Sequence, residues 1–353
     1  MLKQLNIKNL TLFPNEHKLS FAAGLNVFVG ENGTGKTHLM KMAYSLIAAS
    51  QEASRKQEHN APTKAYLQKA YADKLLGVFK PDALGRLVSR KQGRARCEVS
   101  LEFDNTDLNT RISFATNATS DVKVEVLPMH WDEQPALFIP TRELMTIYPG
   151  FVALYDMHHV PFEETWRDTC LHLAVPQLKG RRSAAIADLL GPLEKAMGGR
   201  VFLDKSGQFY LTIQGTGSME MQLVSEGLRK LAMLAQLIGN GVLQENGYVF
   251  WDEPESNLNP KLIKLIAEVI YSLATNGIQV FIATHSLFLL RELEIISINS
   301  INNKDKKFTQ RYFAMKPEGN GILIEQGDEL TDLHTLTLLD EALQQSDRYM
   351  DIQ

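Results

Sequence analysis

The sequence has very little cysteine. Only Cys97 and Cys170 occur among its 353 residues. Two cysteines are too few for a disulfide framework or for a cluster of thiolate metal ligands. Their scarcity indicates a protein that works in a reducing compartment.

Long apolar runs and an excess of charge of one sign are also missing. No stretch approaches the ~18 consecutive apolar residues needed to span a bilayer. The segment Met1–Ile7 alternates like a strand and lacks the apolar core of a signal peptide. The net charge of −4 gives no overall basic signature, so any contact with nucleic acid must be local. We therefore expect a cytoplasmic protein without a membrane contact.

The most informative stretch that is present is Gly30–Thr37, which reads GENGTGKT. An apolar run, Leu25–Val29, precedes it and predicts a buried strand, and His38–Ile47 follows it with helical spacing. Strand, glycine-rich turn and helix together are the context of a phosphate-binding loop. The sequence therefore predicts a nucleotide site at this point.

Each residue type in this loop has a chemical reason. Glycines let the backbone wrap around a phosphate, so that N–H groups and the start of the helix face the anion. We expect Lys36 to reach the β- and γ-phosphates and the Thr37 hydroxyl to bind Mg²⁺. The predicted nucleotide-binding residues of the loop and its flank are Gly30, Asn32, Gly33, Thr34, Gly35, Lys36, Thr37 and His38.

Two later apolar strands end in polar residues that suit the same site. Tyr248–Trp251 is followed by Asp252 and Glu253, and Gln279–Ala283 is followed by Thr284 and then His285. Ligands of open parallel sheets bind at the carboxyl ends of strands, so these side chains are expected near the loop. Asp252 is predicted to hold Mg²⁺ and Glu253 to polarise the attacking water. The predicted catalytic residues are Lys36, Glu253 and His285.

Together these motifs resemble the ATP-binding-cassette (ABC) ATPase family, in its SMC, RecF and OLD (overcoming-lysogeny-defect) branch. The resemblance is carried by the Walker A loop Gly30–Thr37, the signature-like Ser225-Glu226-Gly227, the Walker B pair Asp252-Glu253, the run Asp252–Pro260 and the switch histidine His285. It implies an α/β P-loop fold with a mixed central sheet, flanking helices, an antiparallel β subdomain and a helical signature lobe. The expected nucleotide-binding lobe comprises residues 1–143 and 241–353, with a helical basic insertion at 51–96, and the signature lobe comprises 144–240.

The spacing of apolar residues and the positions of turn-forming residues predict the helices and strands between the motifs. The expected elements are a helix at Ala65–Phe79, an antiparallel meander at Cys97–Asp104, Arg111–Ala115 and Val122–Leu127, mainly helices over Leu144–Met197, a small β unit ending in Ser218–Leu223, and helices at Leu287–Leu293 and Leu333–Gln345.

The resemblance also implies a mechanism. Two subunits would hold two ATP molecules head to tail, with Ser225 and the Gly227 backbone of one subunit on the γ-phosphate held by Lys36 of the other. ATP would drive closure and hydrolysis would release it. A homodimer or higher homo-oligomer is therefore the expected assembly, with ATP and Mg²⁺ as cofactors.

Two departures from the family pattern bear on the site. Glu226 stands where a glycine is usual, and Pro140–Glu143 ends a strand at the place of the Q-loop without a glutamine. Arg142 and Glu143 either approach the nucleotide or a partner subunit, or Glu143 lies in the turn that starts a helix. The sequence favours neither alternative.

The spacing of the motifs narrows the choice within the family. Ser225 lies 188 residues after Thr37, about twice the separation usual in transporter subunits. No sustained heptads predict an SMC coiled coil, and only 68 residues follow His285, too few for the nuclease domain of OLD proteins. The chain therefore resembles a stand-alone ATPase that controls a separately encoded effector, as in bacterial phage-defence or toxin–antitoxin-like systems.

A basic segment keeps a second hypothesis open. Residues 51–96 hold eleven Lys and Arg against four Asp and Glu, most densely over 86–96. Either this is a solvated surface, or the chain is a RecF- or SMC-like DNA-binding ATPase for repair or recombination, whose affinity falls when Arg90, Lys91 and Arg94 become Glu. A third hypothesis, a non-catalytic nucleotide-gated scaffold, is disfavoured by the intact Glu253.

Overall fold

Three β-sheets and nine helices make up the part of the chain that the computed structural model describes, which is residues 1–56, 61–90, 93–158, 160–178, 184–243, 246–303 and 309–352. The strands are β1 Leu2–Lys8, β2 His17–Ser20, β3 Leu25–Gly30, β4 Arg96–Phe103, β5 Thr110–Ala115, β6 Lys123–Val126, β7 Ala136–Ile139, β8 Gly199–Leu203, β9 Phe209–Ile213, β10 Gly217–Glu220, β11 Tyr248–Asp252, β12 Gln279–Thr284, β13 Gln310–Glu318 and β14 Gly321–Gly327. The helices are α1 Lys36–Lys56, α2 Lys64–Phe79, α3 Tyr148–Met157, α4 Glu164–Leu173, α5 Ala184–Met197, α6 Glu226–Gly239, α7 Pro260–Thr275, α8 Leu287–Asn303 and α9 Thr337–Ile352.

The largest sheet has six strands in the order β14-β13-β3-β12-β11-β7. All neighbours pair in parallel except β14, which is antiparallel to β13. Strands β3 and β12 are buried along their whole length, which explains why their sequences are continuously apolar. Because the parallel strands share one direction, β3, β11 and β12 end at the same edge of the sheet.

Alternate residues of this sheet face two different hydrophobic cores. Phe28 and Phe250 pack with α1, α2 and the antiparallel sheet, which has the order β2-β1-β4-β5-β6. Val27 and Trp251 pack on the other side with α4 to α7 and the small sheet β10-β9-β8. The predicted α/β fold with a mixed central sheet and an antiparallel β unit is confirmed. The division into two lobes stays a prediction.

Helix α2 of the basic insertion is tied to the rest of the chain by a buried lysine. Lys74, whose side chain is 3% exposed, pairs with Glu164 at 2.9 Å, with Asp168 at 2.8 Å and with Glu52. These partners lie on α1 and α4, so the ammonium joins three helices. The same three carboxylates are close enough to share a metal ion, but Lys74 already supplies their counter-charge.

Several element boundaries differ from the predicted ones. Helix α8 continues to Asn303 rather than ending at Leu293, because no glycine or proline interrupts it. Helix α9 starts at Thr337 rather than Leu333, after a 3₁₀ turn capped by Glu329, and it continues to Ile352 rather than ending at Gln345. The third strand of the small unit stops at Glu220, where another 3₁₀ turn begins.

None of the described helices is both long enough and apolar enough to cross a membrane.

Candidate nucleotide-binding and hydrolysis site

The glycines of the Gly30–Thr37 loop are required for different reasons. Gly33 and Gly35 have φ values of +80° and +87°, in the left-handed region that a Cβ disfavours. A Cβ on Gly35 would lie 2.8 Å from two atoms of the Phe13 ring, and one on Gly30 would lie 2.3 Å from the Met315 carbonyl oxygen. The loop therefore has the tight backbone that phosphate binding demands.

Lys36 is folded into this loop. Its Nζ donates hydrogen bonds to the main-chain oxygens of Gly30 at 2.8 Å and Glu31 at 2.7 Å. The Thr34 hydroxyl donates to the same Glu31 oxygen at 2.9 Å. Burial lowers the pKa of Lys36, and the Glu253 carboxylate is the strongest of the acidic groups that oppose this shift. The ammonium therefore lies between the loop backbone and the acidic end of β11.

The predicted magnesium ligands are in contact with each other. The Thr37 hydroxyl donates to Oδ1 of Asp252 at 2.9 Å, and the Thr141 hydroxyl lies 3.4 Å from Oδ2. Burial raises the pKa of Asp252, and the hydrogen bond from Thr37 opposes that shift. A carboxylate beside hydroxyl groups is a donor set that suits Mg²⁺. Thr37 and Asp252 therefore fit the ion that the phosphate loop implies.

Glu253 and His285, predicted from separate strands, also meet. His285 Nδ1 lies 3.1 Å from Oε1 of Glu253, and the Ser256 hydroxyl donates to Oε2 at 3.0 Å. Glu253 has a φ of +45°, uncommon for a residue with a side chain, and its N–H donates to the Ala283 oxygen at 2.9 Å. Both carboxylate oxygens are thus oriented, as a general base requires.

A second buried carboxylate, which sequence reasoning missed, orders the end of β12. Glu255 Oε1 accepts hydrogen bonds from the Thr284 hydroxyl and, at 3.3 Å, from the His285 main-chain N–H. Glu255 is 7% exposed. The signal in the sequence was the acidic run Asp252–Glu255, in which only the first two residues were given roles.

The signature-like residues pack against the turn that follows β11. Ser225 occupies the N-cap position of α6, but its side chain makes no capping hydrogen bond. Ser225 is exposed. The Asn257 amide donates to Oε1 of Glu226 at 2.9 Å. A Cβ on Gly227 would lie 3.1 Å from the Asn257 oxygen. Among the described contacts, none joins Ser225 or Gly227 to the Gly30–Thr37 loop of the same chain.

Lys230, on the second turn of α6, is a site residue that sequence reasoning missed. Its Nζ donates to the main-chain oxygens of Glu253 at 2.9 Å and Ser256 at 3.2 Å. Burial lowers the pKa of Lys230 to about 8, and the nearby Glu255 carboxylate is the strongest opposing group. In the sequence Lys230 directly precedes the apolar stretch Leu231–Ile238, which places it on a helix but does not show what it contacts.

His38 faces a strained turn beside the loop. Its Nδ1 lies 3.1 Å from the Thr11 hydroxyl, and its ring meets the edge of Phe79 at a centroid distance of 5.6 Å. Thr11 and Asn9 have φ values of +42° and +53°, and such conformations cluster at functional sites. The nucleotide contacts of His38 and of the exposed Asn32 stay predictions.

The structure favours a structural role for Glu143 over an approach to the nucleotide. Its carboxylate accepts hydrogen bonds from the Met145 N–H and the Thr146 hydroxyl, each at 2.9 Å. It also pairs with Arg229 Nε at 2.7 Å. Glu143 is therefore a turn residue that links the end of β7 to the signature helix. Arg142 is exposed beside it.

The fold and this site together define a P-loop ATPase domain with a fold like that of SMC heads. A family model described as "AAA domain, putative AbiEii toxin, Type IV TA system" matches residues 25–291. The chain belongs to this family. The curated proteins include no significant match to the sequence.

Two solved structures are similar to the chain in fold. An Smc head bound to the C-terminal winged-helix domain of ScpA has a TM-score of 0.55 at 12% identity, over 94% of this chain and 98% of that one. An Smc head domain with an extended coiled coil, bound to the C-terminal domain of ScpA from Pyrococcus furiosus, has a TM-score of 0.52 at 11% identity, over 98% and 99%. At such low identity the similarity concerns the fold alone.

Proposed function

We propose that the chain binds Mg-ATP and hydrolyses it, and that ATP-driven head-to-tail dimerisation controls a separately encoded effector in a bacterial phage-defence or toxin–antitoxin-like system. The observation that carries the catalytic part is the placement of Glu253. Its carboxylate is held between His285 and Ser256, one residue beyond the Asp252 that contacts Thr37. This is the arrangement of a base beside a metal and phosphate site.

Each side chain has a role in this reaction. Lys36 binds the phosphate oxygens, and Thr37 and Asp252 hold Mg²⁺, which when bound offsets the negative charge of the phosphates. Glu253 accepts a proton from water as the water oxygen bonds to the γ-phosphorus. The bond from that phosphorus to the bridging oxygen breaks, giving ADP and phosphate. His285 orients Glu253 and would contact the γ-phosphate of bound ATP.

The dimer and effector parts of the proposal have separate support. Ser225 and Gly227 make no described contact with their own phosphate loop, as expected if they serve the loop of a second subunit. The family description names a toxin–antitoxin system. Both similar Smc heads are bound to ScpA, a different protein, and this supports a head module that acts with a separately encoded partner.

The catalytic part is tested by phosphate release with Mg-ATP, with and without EDTA. Lys36→Ala removes the phosphate-binding ammonium, so we expect release to fall by about 100-fold or more. Lys3→Ala is the control, because the Lys3 side chain is 62% exposed and, among the described residues, forms an ion pair with Asp104 alone. Wild-type activity that survives EDTA, or equal activity of Lys36→Ala and wild type, would contradict the proposal.

A second candidate function, DNA binding, is favoured by one observation. Arg86, Arg90, Arg94 and Arg96 are all exposed, and among the described residues no carboxylate pairs with any of them. The adjoining segment is joined to the turn near the phosphate loop, because Thr11 N–H donates to the Leu87 oxygen at 2.8 Å. DNA bound here would therefore lie next to an element that contacts His38. Lys91 lies outside the described residues.

This second candidate is tested by measuring duplex DNA affinity across salt concentrations. If the basic segment binds phosphates, replacing Arg90 and Arg94 by Glu lowers affinity and flattens the salt dependence. Lys316→Glu and Lys123→Glu, on β13 and β6, provide a control with the same change in net charge. Equal affinity of the two double variants would rule out a specific role for the segment.

A further inference from the structure

Lys230 is a buried cation whose hydrogen bonds within the described residues go to main-chain oxygens rather than to a carboxylate. It is 2% exposed, and its Nζ donates to the oxygens of Glu253 and Ser256 at 2.9 and 3.2 Å. Burying an ammonium is costly unless hydrogen bonds and nearby charges compensate it. A lysine in this position therefore has a specific task that an apolar residue of similar size would not perform.

Lys230 binds the turn at residues 253–258, and two residues of this turn have an unfavourable backbone conformation. Glu253 and Asn257 have φ values of +45° and +62°, and such conformations persist only where the surroundings enforce them. The Glu253 N–H is fixed to Ala283 at 2.9 Å, and the Ser256 N–H donates to the Glu253 oxygen at 3.1 Å. Lys230 donates a second hydrogen bond to that same Glu253 oxygen, so both main-chain polar groups of Glu253 are fixed.

Further contacts join the same turn to α6. The Asn257 amide donates to Glu226 at 2.9 Å. Gly227 approaches so closely that a Cβ would lie 3.1 Å from the Asn257 oxygen and 3.3 Å from a Leu258 methyl carbon. The first two turns of α6 and residues 253–258 therefore form one continuous contact.

We propose that Lys230 is a positioning residue for Glu253, which fixes the direction of the Glu253 carboxylate and ties it to the signature helix. This inference rests on the proposed ATPase function, because it assigns Lys230 to the hydrolysis step. Lys230 makes no described hydrogen bond to the Gly30–Thr37 loop. Its loss therefore affects the chemical step and leaves the binding of ATP intact.

The test compares Lys230→Met with Lys264→Met, a matched control on the exposed face of α7. The measurements are the affinity for Mg-ATP, the single-turnover rate of phosphate release and the melting temperature. We expect Lys230→Met to lower the rate by about 100-fold, as misplacing a catalytic group does, with ATP affinity within about threefold of wild type. Lys230→Arg restores donors and charge, so it recovers at least part of the rate.

The outcomes separate this inference from the proposed function. A folded Lys230→Met with the wild-type rate overturns the positioning role while the ATPase function stands. Equal losses of rate and ATP affinity also overturn it, because they assign Lys230 to the nucleotide pocket. Should Lys230→Met not fold, Lys230→Gln and Lys230→Arg decide by the same criteria. A wild type that binds Mg-ATP without releasing phosphate refutes the proposed function and this inference together.

Discussion

Single residues of the phosphate loop show how little freedom its backbone has. Gly33 and Gly35 share a left-handed conformation, but only Gly35 is also crowded, by the Phe13 ring. A Cβ on Gly33 would meet no described atom within 4 Å beyond its chain neighbours. The pair therefore separates the conformational cost of a side chain from the steric cost.

We expect Gly35→Ala to weaken Mg-ATP binding more than Gly33→Ala. Both variants bear the strain of a side chain at positive φ, roughly 1–2 kcal/mol. Gly35→Ala must also displace the Phe13 ring, so its affinity for ATP falls by at least a further factor of about 10. Titration with a fluorescent ATP analogue measures the difference. Equal affinities would show that Phe13 does not support the loop.

His172 on α4 makes stability depend on pH. Burial lowers its pKa to about 4, against the opposing effect of Asp168. Between pH 6.5 and 4 the unfolded chain binds a proton at His172 that the folded chain does not, so the free energy of unfolding decreases as the pH falls through this range. The full loss is about 3 kcal/mol.

Chemical denaturation of wild type and His172→Gln across this pH range checks the prediction. Other buried groups titrate in both proteins, so the difference between the two curves isolates His172. We expect the stability of His172→Gln to fall less steeply than that of wild type below pH 6.5. Parallel curves would mean that His172 is protonated as easily in the folded chain as in the unfolded one.

At the scale of elements, an ion pair links the end of β7 to the signature helix. Arg229 and Glu143 have side chains that are 19% and 5% exposed and lie 2.7 Å apart. Glu143→Gln keeps the shape but leaves Arg229 without its counter-charge. We expect a loss of about 3 kcal/mol of stability, because breaking a buried pair strands a charge.

A surface pair provides the control for this measurement. Arg311 and Asp328 are 32% and 72% exposed, so Asp328→Asn is expected to cost less than about 1 kcal/mol. Both variants are compared with wild type by chemical denaturation. A Glu143→Gln variant as stable as Asp328→Asn would show that other contacts hold the segment after β7 against α6.

The elements that the sequence predicted are those with a strong local pattern. Strands β3, β11 and β12 are short apolar runs that end in polar motifs, and the glycine-rich loop starts α1, so their order and type follow from neighbouring residues. The end of α8 was predicted wrongly at Leu293, because the sequence after Leu293 contains no glycine or proline that marks where the helix stops. Element type was therefore more predictable than element boundaries.

The site was predictable only where a residue lies within a motif. Thr37, Asp252, Glu253 and His285 follow from strand ends that the parallel sheet brings together. Lys230 could not be placed in the same way, because its acceptors are main-chain oxygens 23 and 26 residues away. Thr141 reaches Asp252 across 111 residues. Contacts of this kind depend on tertiary packing, which a single sequence does not display.

At the scale of the whole molecule, the proposed reaction needs a second subunit. Lys36, Thr37, Asp252, Glu253 and His285 lie together within one chain, whereas Ser225 and Gly227 make no described contact with the phosphate loop of that chain. Ser225 is exposed at the start of α6, where helix N–H groups favour an anion. We therefore propose that the ATP γ-phosphate lies between the phosphate loop of one subunit and the signature helix of another.

The most direct test is the mass of Glu253→Gln in solution, measured by light scattering with and without Mg-ATP. The substitution removes the base but keeps its size, so ATP stays bound without being hydrolysed. We expect a monomer without nucleotide and a doubled mass with Mg-ATP, which adding Ser225→Arg abolishes. A mass that Mg-ATP leaves unchanged, although the variant binds it, would contradict ATP-driven head-to-tail dimerisation.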